Sequence, residues 1–353
     1  MGLGRILVKR AVFLALTLVV AMYMTVVIAN GGGLLDSILK SQIENETRQQ
    51  FQMDQAYRRL PPSEQARLLN ETLQRRYEAR GLNDPFIEKS LRYTFDALTL
   101  NLGRSQVLTS SSGSHSVADI IGERLPRTLT LFTLANAIGA FLGIWLGLRM
   151  ARKALSVFDR GMTVLSITTN VVPPWVYGIF FILLFGFQLH WFPTGGWIGV
   201  PAPPSGSAAW YGDVFWHMLL PMLTFAFATF GQWSYTTRNL VLQTMDEDFV
   251  TAARAKGLRE KTILNKYVLR AASPPIVTSL TLTLIVAWQG AIITETVFNY
   301  QGIGLLTFES AAIFDAPVVI GIVALYAYLL VVTVFVLDLV YGFLDPRIRA
   351  LGR

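Results

Sequence analysis

Apolar runs long enough to cross a lipid bilayer constrain this chain more than any other feature. A hydrocarbon core about 30 Å thick needs about 20 mainly apolar residues of helix, because each unpaired backbone group in lipid is costly. Ala11 to Ala29, Thr128 to Leu148, Met162 to Phe187, Pro275 to Phe298 and Val318 to Tyr341 meet that length. His217 to Tyr235 is a weaker candidate, diluted by Gln232 and Ser234. The reading is an all-α integral membrane protein with about six transmembrane helices. Only 15% of its 353 residues are charged, against about 25% in soluble domains. The absence of cysteine excludes disulfides, thiolate catalysis and Cys-based zinc sites, and leaves the redox compartment unread.

The first run follows Arg5, Lys9 and Arg10 and could be a signal peptide. It outruns the usual h-region of about 7–15 residues, and Ala29-Asn30-Gly31 is a poor cleavage context, so an uncleaved helix is expected.

A net charge of +7 fits either nucleic acid or an anionic membrane surface, and the placement of the charges decides. Basic residues cluster at the N-terminus, at Arg149, Arg152, Lys153 and Arg160, between Arg238 and Arg270, and at Arg347, Arg349 and Arg353. The alternate loops 188–216 and 299–317 contain no Lys or Arg. The positive-inside rule therefore places both termini in the cytoplasm, and the basic excess is topology rather than a nucleic-acid footprint.

Three regions follow: 1–30, with the first span; 31–127, a small helical external domain; and 128–350, a five-helix core with a cytoplasmic loop at 245–271. The long external segment carries charges of both signs, which long loops tolerate. After Pro61-Pro62, Ser63 can cap a helix whose Ala66, Leu69, Leu73 and Tyr77 share one face, ending at Gly81. Thr109 to Ser116 reads as a loop. The sequons at Asn45 and Asn70 matter only in a eukaryotic secretory pathway. No long-period repeat is evident. Gly139, Gly143 and Gly147 lie on one face of the second span, where close packing within the subunit is favoured over a dimer seam.

The stretch Met245 to Leu258 begins acidic and ends basic, which suits the poles of a helix dipole. Small residues at Ala252, Ala253 and Ala255 leave one flank slender, and Gly257 can end the helix in a left-handed conformation. A second helical segment, Glu260 to Ala271, should follow, with Pro274-Pro275 breaking it before the fifth span. Two readings of this unit stand open: a helical pair that docks into a groove on a soluble partner, and a basic loop resting on lipid headgroups.

The stretch resembles the cytoplasmic coupling loop of binding-protein-dependent ABC importer permeases, whose pattern is Glu-Ala-Ala, three residues, then Gly. Ala253-Arg254-Ala255-Lys256-Gly257-Leu258 is similar to the dipeptide/oligopeptide/nickel variant. Other pieces match in order: Asp84-Pro85, Asn101-Leu102-Gly103-Arg104-Ser105, Glu123 to Leu129, Trp191 to Gly195, Glu295 to Phe298, Gly302-Ile303-Gly304 and Asp345 to Arg349. Thr251 departs from the pattern's Glu. Tyr267-Val268-Leu269-Arg270 stands where an Ile-x-Leu-Pro element is usual. The segment 31–83 is longer and more polar than the family suggests.

The resemblance implies a permease subunit of the inner membrane, forming half of a peptide translocation path. Its implied partners are a second permease, a paralogue in a heterodimer, two cytoplasmic ATPases and an external solute-binding protein. It places the ATPase contact on Thr251, Ala252, Ala253, Arg254, Ala255, Lys256, Gly257 and Leu258. No Gly-x4-Gly-Lys-Ser/Thr cradle occurs, and Lys261-Thr262 lacks the preceding Gly, so ATP and Mg belong to the partners and no cofactor or catalytic residue to this chain.

Polar groups inside spans are candidate path residues: Asn170 just before Pro173-Pro174, Gln232, Gln289 and Glu295. Helix–helix hydrogen bonding is the competing role for the first three, and a solvated helix end for Glu295. Asp338 reads as structural. His115, His190 and His217 are scattered without metal-ligand spacing. Oligosaccharides are the alternative cargo. An ATP-independent channel or secondary transporter is the alternative class, against which stands the lack of matched internal halves. A membrane enzyme would need paired carboxylates or an activated nucleophile within reach.

Overall fold

The computed structural model describes residues 3–31, 33–105, 107–288 and 291–344. In chain order its helices are α1 (Leu3–Gly31), α2 (Leu34–Met53), α3 (Gln55–Arg58), α4 (Pro62–Ala79), α5 (Phe86–Leu98) and α6 (Val117–Arg152). Next come α7 (Val157–Val171), α8 (Pro174–Phe181), which continues as a π-helical turn over Ile182–Gln188, α9 (Ala208–Met245) and α10 (Asp248–Ala255). Last are α11 (Glu260–Thr262), a π-helical turn over Ile263–Val268, α12 (Leu269–Trp288), α13 (Ile292–Val297), α14 (Ile303–Ala312) and α15 (Ala316–Leu344). Among the described residues there is no strand, only an isolated bridge between Arg104 and Ser116.

Among the described residues, four helices are long and apolar enough to cross a membrane: α1 over Val8–Ile28, α6, α9 and α15 over Pro317–Val336. A fifth crossing exists if α7 and α8 with its π turn count as one broken span, bent by 97°. Pro173 and Pro174 cause that bend, since neither can donate the backbone bond that would continue α7. The expected fifth span falls on α12 and α13, and residues 289–290 between them lie outside the described set. The closing Asp345–Arg349 motif and Arg353 also lie outside it, as does the side chain of Asp338.

Two expectations of helix boundaries need correction. Ser63 is not the cap of α4: Pro61 occupies that position and Pro62 opens the helix, its fixed φ already helical. Leu69, Leu73 and Tyr77 do face a core with Ile43 and Leu82, but Ala66 is exposed. Nor do Pro274 and Pro275 break the chain, because both lie inside α12. The carbonyl of Arg270, which the N–H of residue 274 would ordinarily reach, instead accepts the Ser273 hydroxyl at 3.0 Å. Local hydroxyls of this kind let membrane helices tolerate proline.

The chain divides into two compact units, one comprising Val8–Ile121 with Ser310–Val331, the other Gly122–Glu309 with both ends of the chain. In the first, Met22, Ala97 and Ala324 bring α1, α5 and α15 together, and the Tyr328 hydroxyl donates to the Leu98 carbonyl at 2.6 Å. Buried Asp315 accepts from Ser105 Oγ at 2.5 Å and from the Val107 N–H at 3.3 Å. Lys89 pairs with Asp36, which also accepts from the Tyr93 hydroxyl at 3.3 Å. Burial first, and the Asp36 carboxylate second, push that phenol above its usual range.

In the second unit, α6 and α9 meet through the glycine stripe. A Cβ on Gly139 would stand 2.5 Å from Thr229 Oγ1, one on Gly143 would run into Trp233 Cβ and lie 2.6 Å from the Phe230 carbonyl, and one on Gly147 would lie 2.5 Å from the Ser234 carbonyl. The stripe therefore serves packing within the subunit, where small residues let two backbones approach. Leu131, Phe132 and Ala135 on α6 pack beside it against Met218, Leu220 and Met222 on α9, closed by Phe298 and Tyr300. Half of the α9 span is buried, against 11% of the α1 span, so α9 organises the packing and α1 offers an apolar surface suited to lipid.

Gly122, also on α6, has nothing within 4 Å of its Cβ position. Gly143→Ala should therefore lower the stability of the detergent-solubilised protein by about 1–3 kcal/mol through overpacking. The same change at Gly122 should be neutral or slightly stabilising. Thermal unfolding of the two variants side by side checks the difference.

Candidate functional site

The segment singled out by sequence folds as a short amphipathic helix. Asp248 sits in the first turn of α10, and its last turn closes through Gly257 N–H to the Arg254 carbonyl at 2.9 Å. Gly257 has φ of +75°, the left-handed conformation that ends helices and that side chains with a Cβ resist. Val250 and Ala253 are buried against Val241, Ile263, Leu264, Val268 and Ala151. The inner face of α10 is thus joined to the ends of α6 and α9 and to the π turn that feeds α12. The outer face exposes Thr251, Ala252, Ala255, Lys256 and Gly257, with Phe249 41% exposed beside them. Arg254 reaches Glu260 at 2.9 Å, an exposed pair that contributes little to stability. Leu258 lies half-buried at the edge of the same apolar cluster.

A second feature close to this end of α9 escaped the sequence reading. Asp159, 1% exposed, receives Arg238 in a two-pronged pair, with Nε to Oδ1 at 2.5 Å and Nη2 to Oδ2 at 2.7 Å. It also accepts from the Leu155 N–H at 2.8 Å, so both carboxylate oxygens are satisfied. Further along, Ser166 and Ser234 share a hydrogen bond of 2.6 Å, and Gly231 lets α7 close on α9 at Thr169 and Ser166. The available signal was Ser156-Val157-Phe158-Asp159, a capping pattern. Ser156 Oγ does cap, accepting from the Asp159 N–H at 3.2 Å.

At the other end of the same unit, Glu295 is 1% exposed. Its carboxylate accepts from Thr128 Oγ1 at 2.9 Å and from the Leu305 N–H at 3.0 Å, while Thr128 Oγ1 accepts from the Ile303 N–H at 2.7 Å. Together the two side chains hold the first turn of α14, where free N–H groups favour negative charge. The Gly302-Ile303-Gly304 motif has a steric cause here. A Cβ on Gly302 would strike Thr128 Oγ1 and the Glu295 carboxylate, and one on Gly304 would lie 3.0 Å from Glu295 Cδ. Nearby, Arg127 pairs with Glu123, donates to the Gln301 carbonyl at 3.3 Å and stacks 3.7 Å over the Trp197 ring. Arg124 lies 3.3 Å from Glu309.

The other polar candidates are placed differently. Asn170 and Gln232 are both exposed, each next in sequence to a residue of the Thr169–Gly231 contact. Gln289 lies outside the described residues. Asn136, which sequence did not single out, is fully buried in α6, donates to the Phe132 carbonyl at 2.8 Å and, among the described residues, leaves its Oδ1 without a partner. His190 and His217 bond to the Gly186 and Asp213 carbonyls.

Comparison with known proteins adds four findings. The family described as binding-protein-dependent transport system inner membrane component matches residues 139–350. The oligopeptide transport system permease protein AppB of Bacillus subtilis (strain 168) is 30% identical over 272 residues, 77% of this chain and 83% of its own length. The dipeptide transport system permease protein DppB of Lactococcus lactis subsp. cremoris (strain MG1363) is 28% identical over 288 residues, 82% of this chain and 89% of its own. Among solved structures, a chain of the MetNI methionine ABC transporter in an inward-facing conformation superposes with a TM-score of 0.52 at 15% identity, over 64% of this chain and 96% of that one. That last likeness bears on the fold alone.

Glu295→Ala should leave the Thr128 hydroxyl and the Leu305 N–H unpaired and destabilise the protein by about 1–3 kcal/mol for each group left without a partner. Arg238→Met should cost about 3–5 kcal/mol by stranding a buried carboxylate. Asn170→Ala, at an exposed position, should stay within about 0.5 kcal/mol. Chemical or thermal unfolding of the three purified variants ranks them.

Proposed function

Because the chain belongs to the binding-protein-dependent transport system inner membrane component family, we propose that it is the permease subunit of an ATP-driven importer of peptides. The two-faced α10 carries this reading. Its inner face is fixed to the ends of α6 and α9 and to the π turn that feeds α12, and its outer face exposes small residues suited to a partner. The family relation favours docking over the headgroup-resting alternative. A cytoplasmic ATPase that closes on ATP would press on Thr251, Ala252, Ala255 and Lys256, and α6, α9 and α12 would rock in response.

On this reading six spans cross the cytoplasmic membrane, both termini lie inside, and 31–127 lies outside. ATP and Mg bind the two partner ATPases, a paralogous permease completes the path, and an external solute-binding protein delivers the cargo. Asn170, Gln232, Gln289 and Glu295 remain candidates for lining that path, Glu295 through the buried bonds it makes with Thr128 and Leu305. The peptide assignment follows from relatives named as oligopeptide and dipeptide permeases; oligosaccharide is the alternative cargo within the same machine.

Proteoliposomes holding the chain with its neighbouring permease, ATPases and binding protein test the proposal. ATP-dependent uptake of a peptide pool, and none of an oligosaccharide pool, is the expected outcome. Ala252→Arg, on the outer face, should abolish uptake while the melting temperature holds. Gly257→Arg should also abolish uptake, but with a lowered melting temperature, from a loss of about 1–2 kcal/mol in the left-handed backbone. Ala253→Arg differs, since it drives a charge into the apolar cluster and should destabilise the protein itself. Uptake that persists without ATP would sink the importer reading, and normal uptake by Ala252→Arg would sink the docking face.

A further inference from the structure

The unit built from Val8–Ile121 and Ser310–Val331 contains a cavity of about 1390 Å³. That exceeds the roughly 300–1,000 Å³ usual for drug-sized ligands, so its capacity suits an oligomeric ligand better than a single amino acid or metal ion. Every residue lining it belongs to this one unit.

The lining has three chemical parts. Leu39, Ile43, Ala97, Leu102 and Ile320 give it apolar wall. Asn45, Gln49 and Gln52 project from successive turns of α2, and their amides can both donate and accept. The charges are uneven. Arg48 and Arg92 line the cavity but are paired with Glu44 and Asp84. Arg80 and Arg104 line it too, and among the described residues neither has a carboxylate partner. Among the described residues, Glu46 and Asp96 accept from the neutral amides of Gln42 and Asn101 and from no cation. His115 also lines the cavity, and its Nδ1 is buried without a hydrogen-bond partner among the described residues, which is uncommon for a buried polar atom.

We propose that this cavity binds the transported peptide itself, with Arg80 and Arg104 taking its C-terminal carboxylate. The amide row serves the peptide backbone, whose N–H and C=O groups need partners of both kinds and are the same for every sequence. The apolar wall accepts side chains without selecting among them. Two unpaired guanidiniums match a carboxylate, since Arg forms forked charge-assisted bonds to such groups. Glu46 and Asp96 suit the ammonium at the other end. Oligosaccharides lack both terminal charges, so the arrangement discriminates against them. This inference rests on the peptide-importer reading and adds a cargo site within the permease chain.

The full-length chain in lipid nanodiscs is titrated with the hexapeptide Ala-Ala-Phe-Ala-Phe-Ala, once with a free C-terminus and once amidated. Saturable binding of the free acid is expected, weakened about tenfold by amidation and about tenfold by Arg80→Gln with Arg104→Gln. The amidated peptide should bind wild type and variant alike, because both arginines are exposed and their loss leaves the fold intact, which an unchanged melting curve confirms. Absence of saturable binding to wild type, or equal affinity for acid and amide, overturns the site. ATP-driven uptake by the assembled importer separates the two levels. Peptide uptake alongside failed hexapeptide binding overturns the cavity alone. Oligosaccharide-only uptake overturns the parent reading and the cavity with it.

Discussion

Inside a bilayer, water cannot drive two helices together, and α6 and α9 meet because their surfaces allow backbone to touch backbone. Gly139, Gly143 and Gly147 remove the side chains that would hold the axes apart, and the carbonyls of Ala226, Phe230 and Ser234 occupy the space. Much else in that unit depends on this contact. With α9 fixed on one side by α6, its other faces receive α7 at Gly231 and α8 beyond it. Its end receives α10 and the π turn through Val241, Leu242 and Met245. Dispersion between closely packed atoms replaces the hydrophobic effect as the source of stability, which is why a single added methyl at the seam weighs so heavily.

Buried polar groups supply what close packing cannot, a fixed position for irregular backbone. Asp159 holds the entry to α7, Glu295 with Thr128 holds the entry to α14, and Asp315 holds Ser105, Val107 and Leu108. Each is a carboxylate with at least two donors, and each accepts at least one backbone N–H that no helix would satisfy. A carboxylate in an apolar setting is tolerable only when so paired. These groups therefore mark where the backbone departs from regular helix.

How much of this was legible in the sequence follows from the range of the physics involved. Four of the expected spans were, with a fifth bent at Pro173 and Pro174, because a run such as Ala11–Ala29 is a local property, and so was the turn at Gly257, where a left-handed residue ends a slender helix. The glycine stripe was legible as packing but silent about its partner, since nothing local to Gly143 names Trp233. Glu295 illustrates the limit best. As a lone acid at a span end it invites a functional reading, and only the fold shows that Thr128, 167 residues away, already engages it. Asp159 was missed for the same reason, its partner Arg238 having been counted only as topology. The proline pair misled in the opposite direction, because the rule that proline stops helices omits the hydroxyl at Ser273 that relieves it.

The unit that encloses the large cavity is discontinuous in sequence, and this has a consequence for how the chain is made. Met22 and Ala97 find Ala324 only after everything between has been synthesised, and Ser105 waits for Asp315, 210 residues later. At about 5–20 residues per second, those 210 residues take roughly 10–40 s to emerge. For that interval the first third of the chain has its helices but not its core, and α2, α4 and α5 are supported only by Ile43, Leu73, Leu82 and their neighbours. The C-terminal helix is therefore the piece that finishes the N-terminal fold. A nascent chain released before residue 315 would lose more than its last span, since it would carry an unfinished surface at its beginning.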